Sequence, residues 1–85
     1  MSSKKLAREA RIERANGRVQ KANGNIMLLC AAALEGNPDA VEIAEVINVL
    51  RVEGHIIIAD SAEYFARGRD LEAQAKAAKR LEGSK

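Results

Sequence analysis

Few residues of this chain could act as a nucleophile, a base or a metal ligand, and they are widely separated. Cys30 is the only cysteine and His55 the only histidine. Each lies in an apolar stretch, which favours a packed thiol and a structural imidazole over a nucleophile activated by a base. A structural zinc site needs four such ligands, so the sequence predicts no zinc centre.

Acidic residues form two pairs with a spacing of three, Glu42 with Glu45 and Asp60 with Glu63. On a helix each pair shares one face, but no histidine stands where a metal site of a helical bundle would place it. Glycine-rich phosphate-binding loops and dinucleotide fingerprints are also absent from the sequence. We therefore expect a protein that is not an enzyme and that holds no cofactor or metal.

Charge is unevenly distributed along the chain. Residues 1–25 carry seven lysines or arginines and two glutamates, whereas residues 26–50 carry four acidic residues and no lysine or arginine. Six of the cations fall within an arc of about 140° on a helix. These are Lys4, Arg8, Arg11, Arg14, Arg18 and Lys21.

This basic arm has three interpretations. It could bind nucleic-acid phosphates, bind an acidic surface of a protein or of a second copy, or simply be a solvated helix end. In general character it is similar to the arginine-rich helices of small RNA-binding proteins. It contains no aromatic residue on which a base could stack.

Apolar residues follow a heptad pattern from residue 12 to residue 33, with spacings that alternate between three and four. A similar alternation continues after residue 38. Between residues 26 and 58, some stretches are apolar around the whole helix, and a single pair of helices cannot cover them. We therefore expect an interface between copies of the chain. Its predicted members are Ile12, Ala15, Val19, Ala22, Ile26, Leu29, Ala33, Ile43, Ile47, Leu50, Ile57, Ile58, Tyr64 and Phe65.

The only proline marks the boundary between two helices. Gly36 fits a left-handed cap that ends the first helix, Asn37 fits an N-cap, and Pro38 fits the first position of the next helix. The pattern predicts helices over residues 3–35 and 38–82. The expected fold is an all-α antiparallel hairpin, a single domain over residues 1–85, which dimerises into a four-helix bundle.

Two local signals compete with continuous helices. Asn-Gly pairs at residues 16–17 and 23–24 are typical hairpin turns and could break the first helix. Residues 46–58 are rich in β-branched side chains and could form a β-hairpin, which would make the fold α+β. In the second helix, Gly54 and Gly68 are the expected positions of any kink.

Composition limits the class of protein. Of the residues, 47% are hydrophobic but only 2% are aromatic, so the core of a lone chain is small and a partner is expected. The longest apolar run, residues 26–34, is far shorter than a membrane span of about 20 residues, and no secretory signal opens the sequence. We expect a cytoplasmic, non-enzymatic, homo-oligomeric protein that occupies a surface of a protein partner. The alternative is a nucleic-acid-binding regulator that uses the basic arm. In size and in lacking a catalytic set, the chain is similar to small accessory inhibitors of phages and mobile elements, although no residue motif carries that likeness.

Overall fold

The structure, a computed structural model, describes residues 2–83. Its two helices, α1 over Ser3–Glu35 and α2 over Ala44–Gly83, pack as an antiparallel hairpin, and no strand occurs among these residues. The hairpin is a thin rod that measures 69 × 13 × 13 Å. The all-α hairpin is therefore confirmed. The alternative of a β-hairpin at residues 46–58 is wrong, because α2 runs through that stretch without interruption.

Both Asn-Gly pairs lie inside α1 and do not break it. Gly17 and Gly24 are buried against α2, so the helix–helix contact offsets a helix propensity that is about 1 kcal/mol poorer than that of alanine at each glycine. At the start of the helix, the Ser2 hydroxyl accepts a hydrogen bond from the Lys5 backbone N–H at 3.2 Å. Gly54 and Gly68 are likewise buried within α2.

The connection between the helices differs from the prediction in two ways. Gly36 has φ −78° and ψ −4°, a right-handed conformation, so the predicted left-handed cap is wrong. The first helix instead closes with tighter bonds, from the Gly36 N–H to the Ala33 carbonyl at 3.3 Å and from the Asn37 N–H to the Leu34 carbonyl at 3.0 Å.

The second helix begins at Ala44 rather than at residue 38. The Asn37 side chain does accept the Asp39 backbone N–H at 2.9 Å, as a capping residue would. The residues that follow Asn37 form isolated turns rather than a helix. One of these turns is closed by a hydrogen bond from the Ala40 N–H to the Asn37 carbonyl at 3.0 Å. These turns over residues 36–43 give the chain room to reverse before α2 starts.

The two helices meet along residues that recur every seven positions and are small except for Ile47, and we call this row the inner seam. In α1 and α2 respectively its members are Ala10, Gly17, Gly24, Ala31 and Ile47, Gly54, Ser61, Gly68, Ala75. A Cβ atom added to Gly24 would lie 2.7 Å from the Gly54 carbonyl oxygen, and one added to Gly68 would lie 3.3 Å from the Ala10 oxygen. The backbones therefore approach too closely for larger side chains.

Larger side chains from the neighbouring helix cover the glycines of the inner seam. The Phe65 ring lies over Gly17, and Leu28 lies over Gly54. Ser61 is buried in the seam, where its hydroxyl donates to the Ile58 carbonyl at 2.6 Å. Because this hydroxyl is satisfied within its own turn, a polar side chain is accommodated between the helices.

Ion pairs between residues of the described part of the chain join the helices at three places along the rod. Arg14 Nη1 lies 2.8 Å from Glu72 Oε2, and Arg67 Nε lies 3.1 Å from Glu13 Oε2. The third pair, Arg51 with Glu35, lies near the connection. All three are partly exposed to solvent, so we expect each to contribute at most about 1 kcal/mol and to act mainly on the register of the helices.

Glu82 joins the last turn of α2 to the first turn of α1 at the open end of the rod. Its carboxylate accepts the Ser3 hydroxyl at 2.6 Å and the Ser3 backbone N–H at 3.1 Å. These two hydrogen bonds, with the nearby charge of Lys79, lower the pKa of the Glu82 carboxyl.

We expect this contact to make stability depend on pH. Because the pKa is lower in the folded state, its stabilising contribution is complete above the unfolded value and is lost as the pH falls through the folded value. Glu82→Gln should therefore reduce the difference in urea midpoint between about pH 7 and about pH 3. An unchanged difference would show that the Ser3–Glu82 contact does not form in solution.

Candidate binding surfaces

The inner seam fixes which side of each helix faces solvent. In a heptad repeat, residues two and five positions after a seam residue lie about 206° and 154° away from it, on the opposite edge of the helix. The apolar heptad predicted from sequence falls at these positions in α1, and we call it the outer stripe of α1. Its members are Ile12, Ala15, Val19, Ala22, Ile26, Leu29 and Ala33.

No residue of α2 covers the outer stripe of α1. Its four large side chains are 51–69% exposed, Leu29 the most. The stripe contains no charged residue, so it has the composition of a coiled-coil contact without a second helix. In the described part of the chain it is the longest row of this kind.

A shorter apolar row lies on the outer edge of α2, which we call the outer stripe of α2. Val49, Val52 and Ile56 are each 47–52% exposed, and Ala59 follows at the same edge. Beyond it Glu63 interrupts the row. The rod therefore has uncovered apolar side chains on both of its long edges.

The predicted interface residues from the second half of the chain lie against α1 instead. Ile47 is 5% exposed and belongs to the inner seam. Ile58 and Phe65 cover glycines of α1. The remaining four are half-buried beside the seam, namely Ile43, Leu50, Ile57 and Tyr64. Their contacts in the structure are within one hairpin, and a role between copies stays a prediction for them.

Residues one and four positions after a seam residue lie about 103° and 51° from it, which places them on one broad side of the rod. In an antiparallel pair, these positions of both helices share that side. Five of the six predicted arm cations fall there, Arg8 being on the outer edge of α1. We call this side the basic face. Its cations are Lys4, Arg11, Arg14, Arg18 and Lys21 from α1, with Arg51, Arg69, Lys76 and Lys79 from α2.

Contacts support this assignment of the basic face. The Arg14–Glu72 and Arg51–Glu35 pairs join residues of this side across the two helices. A shallow groove at the open end is lined by Lys4, Lys76 and Lys79 together. The sequence analysis did not predict that cations of α2 belong to this surface. The spacing of seven between Arg69 and Lys76 is the signal in the sequence that these two share a helix face.

The opposite broad side has a different character, and we call it the acidic face. It bears Glu9, Glu13, Glu53 and Asp60, with Arg67 as its one cation within residues 2–83. The Arg67 guanidinium lies over the Tyr64 ring, 4.6 Å from its centroid, and also contacts Glu13 and Glu63.

The two residues considered for nucleophilic chemistry lie on different sides of the rod. Heptad position puts the exposed Cys30 beside the acidic face and His55 on the basic face. Within residues 2–83, no group of three or more His, Cys, Asp or Glu residues is arranged to hold a metal ion.

Neither described helix combines the length and the apolar content that crossing a membrane requires. No protein-family model, no curated protein sequence and no solved structure matches this chain.

Proposed function

We propose that this chain is a non-enzymatic, homo-oligomeric binding protein that acts by occupying a surface of a protein partner. The observation that carries the proposal is that more large hydrophobic side chains are exposed than buried. Within residues 2–83, ten large hydrophobic residues are about half exposed or more, whereas the buried hydrophobic residues are two large ones and three alanines. Exposed apolar rows of this kind mark surfaces of association.

The outer stripe of α1 is the proposed contact between two copies. Its heptad spacing suits a second helix of the same kind, and its alanines let two such helices approach closely. A two-fold arrangement, in which α1 of one copy packs on α1 of the other, buries the same stripe on both. The outer stripe of α2 then stays open for the protein partner.

Charges favour an antiparallel arrangement of the two copies. Arg11 and Arg18 flank the outer stripe of α1. In an antiparallel pair Arg18 faces Asn25 and Arg11 faces Ala32, so neither arginine meets a cation of the other copy. The antiparallel pair also sets the acidic connection end, with Asp39, Glu42 and Glu45, beside the basic open end of the other copy.

Cys30 provides a direct test of this arrangement, because it flanks the same stripe. In the antiparallel pair the two Cys30 Cα atoms are on the order of 20 Å apart, too far for a disulfide. In a parallel pair they would lie on opposite sides of the contact, where Cys30 of each copy faces Asn25 of the other. We expect the oxidised native chain to sediment as a non-covalent dimer at micromolar concentration. Asn16→Cys should then form a disulfide with Cys30 of the other copy.

The results of this experiment test both the antiparallel order and self-association itself. Failure of Asn16→Cys to form a disulfide between copies, or a disulfide-linked dimer of the native chain, would contradict the antiparallel order. A sedimenting mass of 9.2 kDa, that of one chain, at every micromolar concentration would contradict self-association altogether. Asn16→Ser is the matched control, since it changes the same position without adding a thiol.

A further inference from the structure

We infer that the basic face is a binding surface for the phosphate backbones of duplex nucleic acid. The inference goes beyond the proposed function, and it concerns a single hairpin whether or not two copies associate. Within residues 2–83, nine cations and only two carboxylates, Glu35 and Glu72, lie on this face. Both carboxylates are paired with arginines of the same face.

The remaining cations of this face are exposed and available. Within residues 2–83, no carboxylate lies within salt-bridge distance of any of them. They are Lys4, Arg11, Arg18, Lys21, Arg69, Lys76 and Lys79. The opposite side carries the carboxylates of the acidic face, so a polyanion has one favoured side on which to bind.

The two helices present these cations in two parallel rows. From Lys4 to Lys21 the row on α1 spans about 25 Å, and the row on α2 runs beside it from Arg69 to Lys79. Because most residues of the inner seam are small, the axes of the two helices that carry the rows are only about 8–10 Å apart. Cations spread over this area can neutralise several phosphates at once.

The absence of stacking groups distinguishes a duplex from a single strand. The chain has one tyrosine, one phenylalanine and no tryptophan. Phe65 covers Gly17 in the hairpin, and Tyr64 lies by the acidic face beneath Arg67. Single-strand binding surfaces use exposed aromatic side chains on which bases stack, and the basic face has none among residues 2–83. Its contacts are therefore to phosphates, without sequence preference.

An anionic membrane is the other polyanionic surface to consider. Helices that bind membranes insert apolar side chains next to their cations. The large apolar residues on the basic face, Leu28, Ile58 and Phe65, are half-buried over the inner seam, and the exposed apolar rows lie on the edges instead. The observations thus favour nucleic acid.

The test compares two double variants that remove the same charge. Arg18→Gln/Arg69→Gln removes one unpaired cation from each helix of the basic face. Lys5→Gln/Arg8→Gln removes two cations from the outer edge of α1 and is the matched control. Binding of a labelled 24-base-pair duplex of mixed sequence is measured by fluorescence anisotropy over a range of salt concentrations.

For the native chain we expect a log–log salt slope of about −4 to −6, which corresponds to five to seven neutralised phosphates. The basic-face variant should lower the magnitude of the slope by about 2 and weaken binding roughly 50-fold at about 0.1 M salt. The control should change either quantity much less. Circular dichroism should be the same for all three chains, because these side chains make no contact in the seam.

Three results would overturn the inference. They are the absence of binding at about 50 mM salt, an equal loss in both double variants, and tighter binding to vesicles with anionic lipid than to the duplex. Stronger binding to an unstructured oligothymidine than to the duplex would overturn the assignment of a duplex.

Discussion

Replacing Gly24 with alanine is expected to destabilise the hairpin by about 2 kcal/mol, although alanine is the better helix former by about 1 kcal/mol. The added Cβ would lie 2.5 Å from Ile58 Cγ1 and 2.7 Å from the Gly54 carbonyl oxygen. The side chain of Ile58 can move, but the carbonyl belongs to the backbone of α2. The helices must therefore separate at this point, and contacts on either side in the seam are weakened.

Gly17→Ala is the matched control for this prediction. The three atoms nearest to its Cβ would all belong to the Phe65 ring, at 3.1–3.2 Å, and the ring can shift by a few tenths of an ångström. The gain in helix propensity and the loss in packing then nearly cancel, so we expect the free energy of unfolding to change by less than about 1 kcal/mol. Urea unfolding followed by circular dichroism measures both variants. Equal effects of the two substitutions would show that the backbones do not approach at Gly24 as described.

Replacing two residues of the outer stripe of α1 should convert the proposed dimer into a monomer. Val19→Gln/Ile26→Gln removes four buried apolar side chains from a two-fold contact. At about 1.5 kcal/mol for each side chain, the dissociation constant should rise at least a thousandfold. Glutamine is a good helix former and is uncharged, so helix content and the charge pattern should be preserved. Sedimentation equilibrium at micromolar concentration reports the change.

The outer stripe of α2 supplies the reciprocal control. Val49→Gln/Ile56→Gln changes the same number of half-exposed apolar residues on the other edge, and we expect it to leave the dimer intact. A protein partner bound through that edge should be lost from this variant and retained by the α1 variant. If only the α2 variant dissociated into monomers, the copies would contact each other through the outer stripe of α2, and the proposed contact through α1 would be wrong.

The helices themselves were largely predictable from the sequence. Their apolar periodicity, the single proline at residue 38 and the lack of a break in the heptad phase indicated two long helices in a hairpin. These are local properties, because each depends on residues within a few turns of each other. The start of α2 was less predictable, since Asn37 and Pro38 support a helical turn there without starting the helix.

Which row of α1 faces α2 was decided only by the tertiary structure. The chain has two heptad rows on α1, a large apolar one and a small one containing Gly17 and Gly24, and hydrophobicity alone favours the first as the contact. The second row faces inward because glycine and alanine allow backbone approach, while side chains of the neighbouring helix fill the remaining space.

Because the small row of α1 faces α2, the positions of the exposed apolar and basic residues are also determined. This packing leaves the large apolar row on the outer edge, and it sets Arg69 and Lys76 of α2 beside the basic residues of α1. Sequence alone established how many cations there are and which share a helix face. Whether cations more than 50 residues apart share one surface depends on the register of the two helices, which is fixed by contacts between them such as the close approach of Gly24 and Gly54.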